Sequence, residues 1–276
     1  MKKNKKPLWI AILCVCIAVV IGVGVYLFRY FTQKDIGRDD ILPTVAASEA
    51  PTQAATAAPA PVPVEEGTVG DQKFEMKPLD IDQVNFDELM KINSDIYAWI
   101  YIPGTGVDYP VARAESNGDD SFYLEHNIYK QYQFSGTIYS EIKNNPDLHD
   151  RVTVLYGHNM LNGSMFASLH NYEDPSFFDE YNTIYMLTKD KVLTYLVYSA
   201  YTYDDRHILN TFNMNDDTIF QEYLNLTLAP YSYNENVREG VELNLDSRIL
   251  TLSTCTNGAA STRYLVQGVL VDERDR

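Results

Sequence analysis

Cysteine is scarce in this sequence. The chain of 276 residues contains three, Cys14, Cys16 and Cys255, and the first two lie inside one long apolar run. Three cysteines cannot form the disulfide framework that stabilises small secreted domains. The five histidines show neither an HExxH motif nor a spaced Cys/His cluster. The sequence therefore predicts no disulfide framework, no metal site and no cofactor.

Basic residues are few outside the N-terminus. The chain has 22 Lys and Arg against 38 Asp and Glu, which gives a formal net charge of −16 at pH 7. Residues 1–29 hold five of the basic residues and no acidic one, so the remainder carries 17 basic against 38 acidic residues, a net of −21. Because phosphate contacts need basic faces, no nucleic-acid partner is expected.

Long apolar runs are absent except for one. Residues 8–28 read LWIAILCVCIAVVIGVGVYLF without a charge, which is the roughly 20-residue length that crosses a bilayer. A cleaved secretory signal has a shorter apolar core of about 7–15 residues and a small-residue cleavage site. Four lysines precede the run, so the positive-inside rule keeps the N-terminus in the cytoplasm. We expect a single-pass membrane protein with a cytoplasmic basic tail at 1–7 and a transmembrane helix at 8–28.

The next segment is rich in Ala, Pro and Thr, above all in residues 44–70. Such a composition cannot bury enough apolar surface to fold. Residues 29–73 are therefore predicted to form a flexible stalk. The stalk would tether one extracellular domain, residues 74–276, above the membrane.

The predicted outer domain is mainly β. Residues 86–100 have apolar residues near helical spacing after Asn85, a possible N-cap, and they predict a helix that opens the domain. Runs of β-branched and aromatic residues predict strands at 107–111, 136–139, 152–156, 183–187, 192–201, 249–253 and 264–271. Short helices are expected at 165–170, 176–181 and 217–226. Seven or eight such strands indicate a closed barrel or a sandwich.

Three side chains with useful chemistry lie at the ends of predicted strands: Cys255, His158 and Arg263. A neighbouring cation lowers the pKa of a thiol from about 8.5 and so supplies thiolate. His158 can protonate a departing amine and accept a proton from an incoming one. Arg263 can stabilise an oxyanion. The alternatives are a buried core cysteine and a salt-bridge arginine on a strand face.

The motifs around these residues resemble those of the sortases. TLSTC at 251–255, followed by Arg263, is similar to the TLxTC…R signature of the family, and VLYGHNM at 154–160 resembles its histidine segment. The segments FYLEHN and SGTIY, the N-terminal anchor and the long insertion between 197 and 249 resemble class B sortases. Many members of that class have an acidic residue in the loop after the cysteine, and residues 256–262 contain none.

The resemblance implies a mainly β fold with peripheral helices, namely an eight-stranded sortase-type β-barrel. It also implies an N-terminal helix and a helix-bearing insertion between strands six and seven. Cys255 would be the nucleophile, His158 the general acid and base, and Arg263 the oxyanion and substrate ligand. Ser253 and Thr254 are candidate substrate contacts, with strand packing as the alternative.

Sortases are Gram-positive cysteine transpeptidases of the cell surface, and their function is implied here by resemblance. The partners would be surface proteins that bear a C-terminal sorting signal, and the acceptor would be the amine of a peptidoglycan precursor or a pilin. Two alternatives remain open: a thiol hydrolase of the envelope with the same dyad, and a non-catalytic binding module on a stalk. The other histidines, His126, His149, His170 and His207, are predicted to be surface or structural residues.

Overall fold

The computed structural model describes residues 6–32, 36–37, 41, 65–69, 72–76, 84–115, 118–258 and 261–276. The chain divides into two units, Met1–Asp35 and Ile36–Arg276. In the first unit, helix α1 spans Lys6–Thr32. Its stretch Ala11–Phe28 is long and apolar enough to cross a membrane, and this stretch lies inside the predicted span at 8–28.

Most of the predicted stalk at 29–73 lies outside the described residues. At its end, strands β1 (Glu65–Val69) and β2 (Gln72–Met76) pair as an antiparallel hairpin where the sequence predicts no strand. Ile36 and Ile41 are partly buried against a core cluster of the second unit. Part of the segment therefore has defined contacts, and its role as a flexible stalk stays a prediction.

The predicted helix at 86–100 is wrong in its second half. Helix α2 covers Phe86–Ile92, and the predicted N-cap is confirmed because Asn85 Oδ1 accepts a hydrogen bond from the first turn at 3.2 Å. The chain turns at Asn93, whose side chain accepts from the N–H two residues on at 3.0 Å. It continues as strand β3, Ile96–Tyr101. Asparagine favours such turns, and the β-branched and aromatic residues that follow favour a strand.

Seven more strands join β3 in one barrel. They are β4 (Asp108–Arg113), β5 (Ile138–Ser140), β6 (Val152–Tyr156), β7 (Thr183–Leu187), β8 (Lys191–Asp204), β10 (Ile249–Cys255) and β11 (Thr262–Asp275). The order around the barrel is β11-β10-β6-β5-β4-β3-β7-β8, and pairing of β8 with β11 closes it. The predicted eight-stranded barrel is confirmed.

Three connections between barrel strands carry helices, and the first is a 3₁₀ helix at Phe122–Leu124 between β4 and β5. A 3₁₀ helix (Ala167–Glu173) and helix α3 (Pro175–Glu180) link β6 to β7. The insertion between the sixth and seventh barrel strands, β8 and β10, carries α4 (Ile208–Thr211), α5 (Asp217–Leu228) and the short strand β9 (Glu235–Val237), which pairs with β8. The insertion is where the resemblance placed it, but it starts after Asp204 because β8 is longer than predicted.

The insertion is fastened to the barrel by an apolar core. Helix α5 buries Phe220, Tyr223 and Leu224, the face expected from its spacing, against barrel residues such as Tyr198. Fully burying a side chain of this size contributes roughly 1.5–3 kcal/mol. The tyrosines of β8 are packed in the sheet, as their β propensity predicts.

Candidate active site

Three strands end at one side of the barrel, and their register sets the positions of the predicted site residues. Strands β6 and β10 run parallel, with Tyr156 opposite Ser253 as the last pair of their register, and His158 and Cys255 each lie two residues further along the chain. Strands β10 and β11 run antiparallel with Cys255 directly opposite Arg263. Neighbouring strands lie about 4.8 Å apart. The sheet therefore brings together the three residues that the sequence only suggested separately.

The three side chains line one cavity of about 320 Å³, which we call the strand-end cleft. Its lining residues are Leu124, Tyr139, Tyr156, Gly157, His158, Tyr203, Asp205, Arg206, His207, Ile208, Ser253, Thr254, Cys255, Arg263 and Leu265. Ser253 and Thr254, the candidate substrate contacts, are buried in the floor of the cleft. Thr254 Oγ1 donates to the carbonyl of Gly157 at 2.8 Å, so its hydroxyl ties two strands together.

Gly157 permits the close packing at the end of β6. A Cβ atom there would lie 2.5 Å from Ile138 Cδ1 and 2.7 Å from the ring of Phe166. The side chains of Ile138 and Phe166 would have to move to make room for it. Glycine at this position therefore lets both side chains pack against the chain just before His158.

The imidazole of His158 is held from two sides. Its Nε2 lies 2.9 Å from the carbonyl oxygen of Leu124, and its ring stacks on Phe134 with centroids 5.3 Å apart. Because a carbonyl oxygen only accepts, Nε2 carries a proton, and in the neutral ring Nδ1 is the basic nitrogen. Burial lowers the pKa of His158 below its ordinary 6.5. The residue is therefore a neutral base at physiological pH.

Cys255 and Arg263 bring a thiol and a cation to the same cleft. The Cys255 side chain is exposed and forms no disulfide. The Arg263 guanidinium donates from Nη1 to the carbonyl of Thr262 at 3.0 Å, which anchors one end of it beside the cysteine. A fixed guanidinium next to a nucleophile can stabilise negative charge on a carbonyl oxygen.

Several residues of this region were missed by sequence reasoning. His170, predicted to be surface or structural, lies with Nε2 at 3.0 Å from the Cys255 carbonyl oxygen, and Asn159 Nδ2 donates to the same oxygen at 3.0 Å. His207 lines the cleft and hydrogen-bonds to Glu141. The available signals were weak: Asn159 adjoins the histidine motif, and His170 has an acidic residue three positions on.

Two tyrosines give the cleft polar groups of its own. Within the described part of the chain, the buried hydroxyls of Tyr156 and Tyr203 have no hydrogen-bond partner. Burial raises the pKa of both phenols, so both hydroxyls stay protonated and can donate. No cluster of three or more His, Cys, Asp or Glu side chains suited to a metal ion occurs among the described residues.

The sequence of this domain is similar to those of known proteins. The family model for the sortase domain matches residues 100–271. Sortase B of Listeria monocytogenes is 33% identical over 189 residues, which cover 67% of this chain and 73% of that protein. Sortase B of Staphylococcus aureus is 32% identical over 196 residues, 69% of this chain and 77% of that protein.

Solved structures of related proteins have a similar fold. Sortase B of Clostridium perfringens superposes with a TM-score of 0.59 at 30% identity, over 68% of this chain and 100% of that one. The family match spans well over half of the chain and includes the histidine, the cysteine and the arginine of the cleft. The chain therefore belongs to the sortase family of cysteine transpeptidases, and the relatives that it resembles are sortases of class B.

Proposed function

We propose that Cys255 is the nucleophile of this sortase, His158 its general acid and base, and Arg263 the ligand of the oxyanion and of the substrate carbonyl. The observation that supports the proposal is that Cys255 faces Arg263 across β10 and β11 and that both line one cleft with His158. Sites built on hydrogen-bonded strands are held more rigidly than sites on loops.

In the first half of the reaction, Nδ1 of His158 takes the thiol proton of Cys255, and the thiolate attacks the scissile carbonyl carbon. The carbonyl oxygen becomes an oxyanion that the guanidinium of Arg263 stabilises. Protonated His158 then gives its proton to the leaving amine as the C–N bond breaks. The N-terminal part of the substrate remains on Cys255 as a thioester.

In the second half, an acceptor amine attacks the thioester carbonyl and loses a proton to His158. The C–S bond breaks, the amide product leaves, and the thiolate recovers its proton from His158. The lowered pKa of His158 supports this role, because a neutral imidazole is available at the start of each half.

The proposed substrates are surface proteins with a C-terminal sorting signal, and the proposed acceptors are amines of a peptidoglycan precursor or a pilin. One structural neighbour, 27% identical with a TM-score of 0.57, is a sortase B–substrate complex of S. aureus. Another, 26% identical with a TM-score of 0.58, is a sortase B complexed with triglycine. A third is a class B sortase of Streptococcus pyogenes involved in pilus biogenesis. We assign Ser253, Thr254 and the free hydroxyls of Tyr156 and Tyr203 to the peptide-binding surface.

The proposed location is the outer face of the cell membrane, with helix α1 as a retained single-pass anchor. The apolar stretch Ala11–Phe28 supports it, as do the lysines before this stretch. Residues 1–7 would lie in the cytoplasm, 29–73 would form the stalk and 74–276 the extracellular domain. Protease added to intact cells is expected to release the outer domain while α1 stays in the membrane fraction.

Steady-state peptide cleavage by the full-length chain in detergent tests the residue roles. Cys255→Ala and His158→Ala are each expected to lower kcat/KM by at least about 10³-fold, whereas His149→Ala, an exposed histidine, retains wild-type activity. Near-normal cleavage by either cleft variant refutes the roles.

An added amine tests whether the acyl group goes to an amine or to water. An amine such as triglycine is expected to divert the product from acid to amide. A product that stays acid at saturating amine identifies a hydrolase instead.

A further inference from the structure

The carbonyl oxygen of Cys255 lies where the parallel pair of β6 and β10 ends. One rung earlier, the N–H of Gly157 donates to the carbonyl of Ser253 at 3.2 Å. In a parallel ladder the rungs recur every second residue, so the backbone N–H of Asn159 would be the next donor, to the carbonyl of Cys255. Strand β6 stops before that rung.

The backbone turns away from β10 at this point. The carbonyl of His158 accepts a hydrogen bond from the N–H of Phe166 at 2.9 Å, and Asn159 pairs with Met165 in an isolated antiparallel bridge. The last residue of β10 therefore lacks its backbone partner on the β6 side. That residue is Cys255.

Side chains replace the missing rung. Asn159 Nδ2 donates to the Cys255 carbonyl at 3.0 Å and to Asn257 Oδ1 at 2.8 Å. His170 Nε2 lies 3.0 Å from the same carbonyl oxygen. Asn159 Nδ2 also lies 3.2 Å from His170 Nε2. Because the carbonyl oxygen only accepts, a hydrogen bond between it and His170 uses a proton on Nε2.

Glu173 fixes the ring of His170. Its Oε1 lies 2.6 Å from Nδ1, within the same 3₁₀ helix, and the ring stacks on Tyr264 with centroids 4.9 Å apart. Each ring nitrogen of His170 therefore has a polar neighbour within hydrogen-bond distance, Glu173 at Nδ1 and the Cys255 carbonyl at Nε2. The His170 side chain is only 11% exposed. Its orientation is therefore set by a carboxylate, an aromatic ring and the carbonyl that it holds.

We propose that His170 is a positioning residue for the nucleophile, held in place by Glu173 and assisted by Asn159. The inference rests on the proposed role of Cys255. A hydrogen bond to its carbonyl fixes the last peptide plane of β10 and hence the direction in which the thiol leaves the strand. Small displacements of a reacting group cost large factors in rate, so this bond serves the chemical step more than substrate binding.

Kinetics of full-length variants in detergent test the proposal. His170→Leu removes the donor and is expected to lower kcat about 10- to 30-fold while KM stays within twofold. His170→Gln keeps an N–H donor and is expected to recover most of the loss. Glu173→Gln weakens the orientation of the ring and is expected to cost about threefold in kcat. His149→Leu, the same change at an exposed histidine, is expected to have no effect.

Two further measurements separate positioning from unfolding and from failure of the nucleophile assignment. The rate at which iodoacetamide alkylates Cys255 is expected to fall in His170→Leu, with the thermal midpoint recorded beside it. If His170→Leu does not fold, Glu173→Gln decides by the same kinetics. Wild-type kcat in all foldable variants overturns the positioning role, and so does a rise in KM alone. An active Cys255→Ala variant would instead overturn the proposed function on which it rests.

Discussion

The two sides of the strand-end cleft are built on different principles. The floor consists of strand ends: Cys255 and Arg263 face each other across β10 and β11, and His158 follows the end of β6 by two residues. The wall is the start of the insertion, residues 205–208, and side chains hold it: His207 bonds to Glu141 and accepts from the N–H of the first turn of α4 at 3.2 Å. We therefore expect changes on the floor to affect the chemical step, and changes on the wall to affect the surface that a substrate meets.

The largest effect is expected when the charge of Arg263 on the floor is removed while the strands stay in place. This change tests the distinction between floor and wall. Arg263→Gln is expected to lower kcat/KM about 10²- to 10³-fold, because oxyanion stabilisation of that size depends on a donor aimed at the developing charge. The matched change on the wall is Arg206→Gln, since Arg206 also lines the cleft but pairs with Asp204 at the surface. Steady-state kinetics with one peptide compares the two variants. Equal losses would contradict the distinction between floor and wall.

The core beneath the wall can be weakened instead. Phe220 is fully buried between α5 and the barrel, so Phe220→Ala is expected to lower the free energy of unfolding by about 3–5 kcal/mol through the cavity it leaves. Urea unfolding followed by circular dichroism measures this, with the exposed residue in Leu161→Ala as control. A loss below about 1 kcal/mol would mean that the insertion is not fastened through this core.

The bond between His207 and Glu141 holds the wall in place. Breaking it is expected to have a small effect that is confined to peptide binding. Glu141→Gln removes the charge that His207 bonds, and a partly buried pair of this kind is expected to contribute about 0.5–1 kcal/mol. We expect a two- to fivefold rise in peptide KM with kcat unchanged. Asp87→Asn, which breaks an exposed ion pair with Lys189, serves as control. A fall in kcat with unchanged KM would place this bond in the chemistry instead.

The smallest expected effect is on the pH dependence of kcat/KM. Burial lowers the pKa of His158, so the base form persists below pH 6.5 and the acid limb of kcat/KM lies there. Phe134→Ala exposes the ring and is expected to move that limb to higher pH by less than about one unit. Phe122→Ala disturbs the equivalent stack on His126, with centroids 4.0 Å apart, and is expected to leave the limb in place. A limb that stays fixed, or moves to lower pH, in Phe134→Ala would contradict the burial argument.

Much of the floor is predictable, because its strands have strong local signals. The strand predicted at 152–156 has the same bounds as β6 of the floor. The strand predicted at 183–187 likewise has the bounds of β7, since β-branched and aromatic residues dominate both. Residues 96–100, which lie in strand β3, are predicted as helix because apolar residues are so frequent there that helical and strand periods both fit. The turn at Asn93 decides between them, and it depends on a local side-chain bond.

The contact between His170 and the carbonyl of Cys255 could not be predicted from the sequence. His170 is 85 residues from Cys255 in the chain, and only the closed barrel brings them together. The same holds for the facing of Cys255 and Arg263, which requires the register of β10 and β11. Family motifs point to the three floor residues, but the contacts that hold them arise from tertiary structure.

Intact-mass spectrometry of the full-length protein, incubated with a panel of sorting-signal peptides, tests the central claim most directly. We predict a mass increase equal to the N-terminal part of one peptide on the wild-type chain, absent from Cys255→Ala and released by hydroxylamine, as a thioester requires. An adduct that survives hydroxylamine, or one that forms equally on Cys255→Ala, would contradict the assignment of Cys255 as the nucleophile at the end of β10.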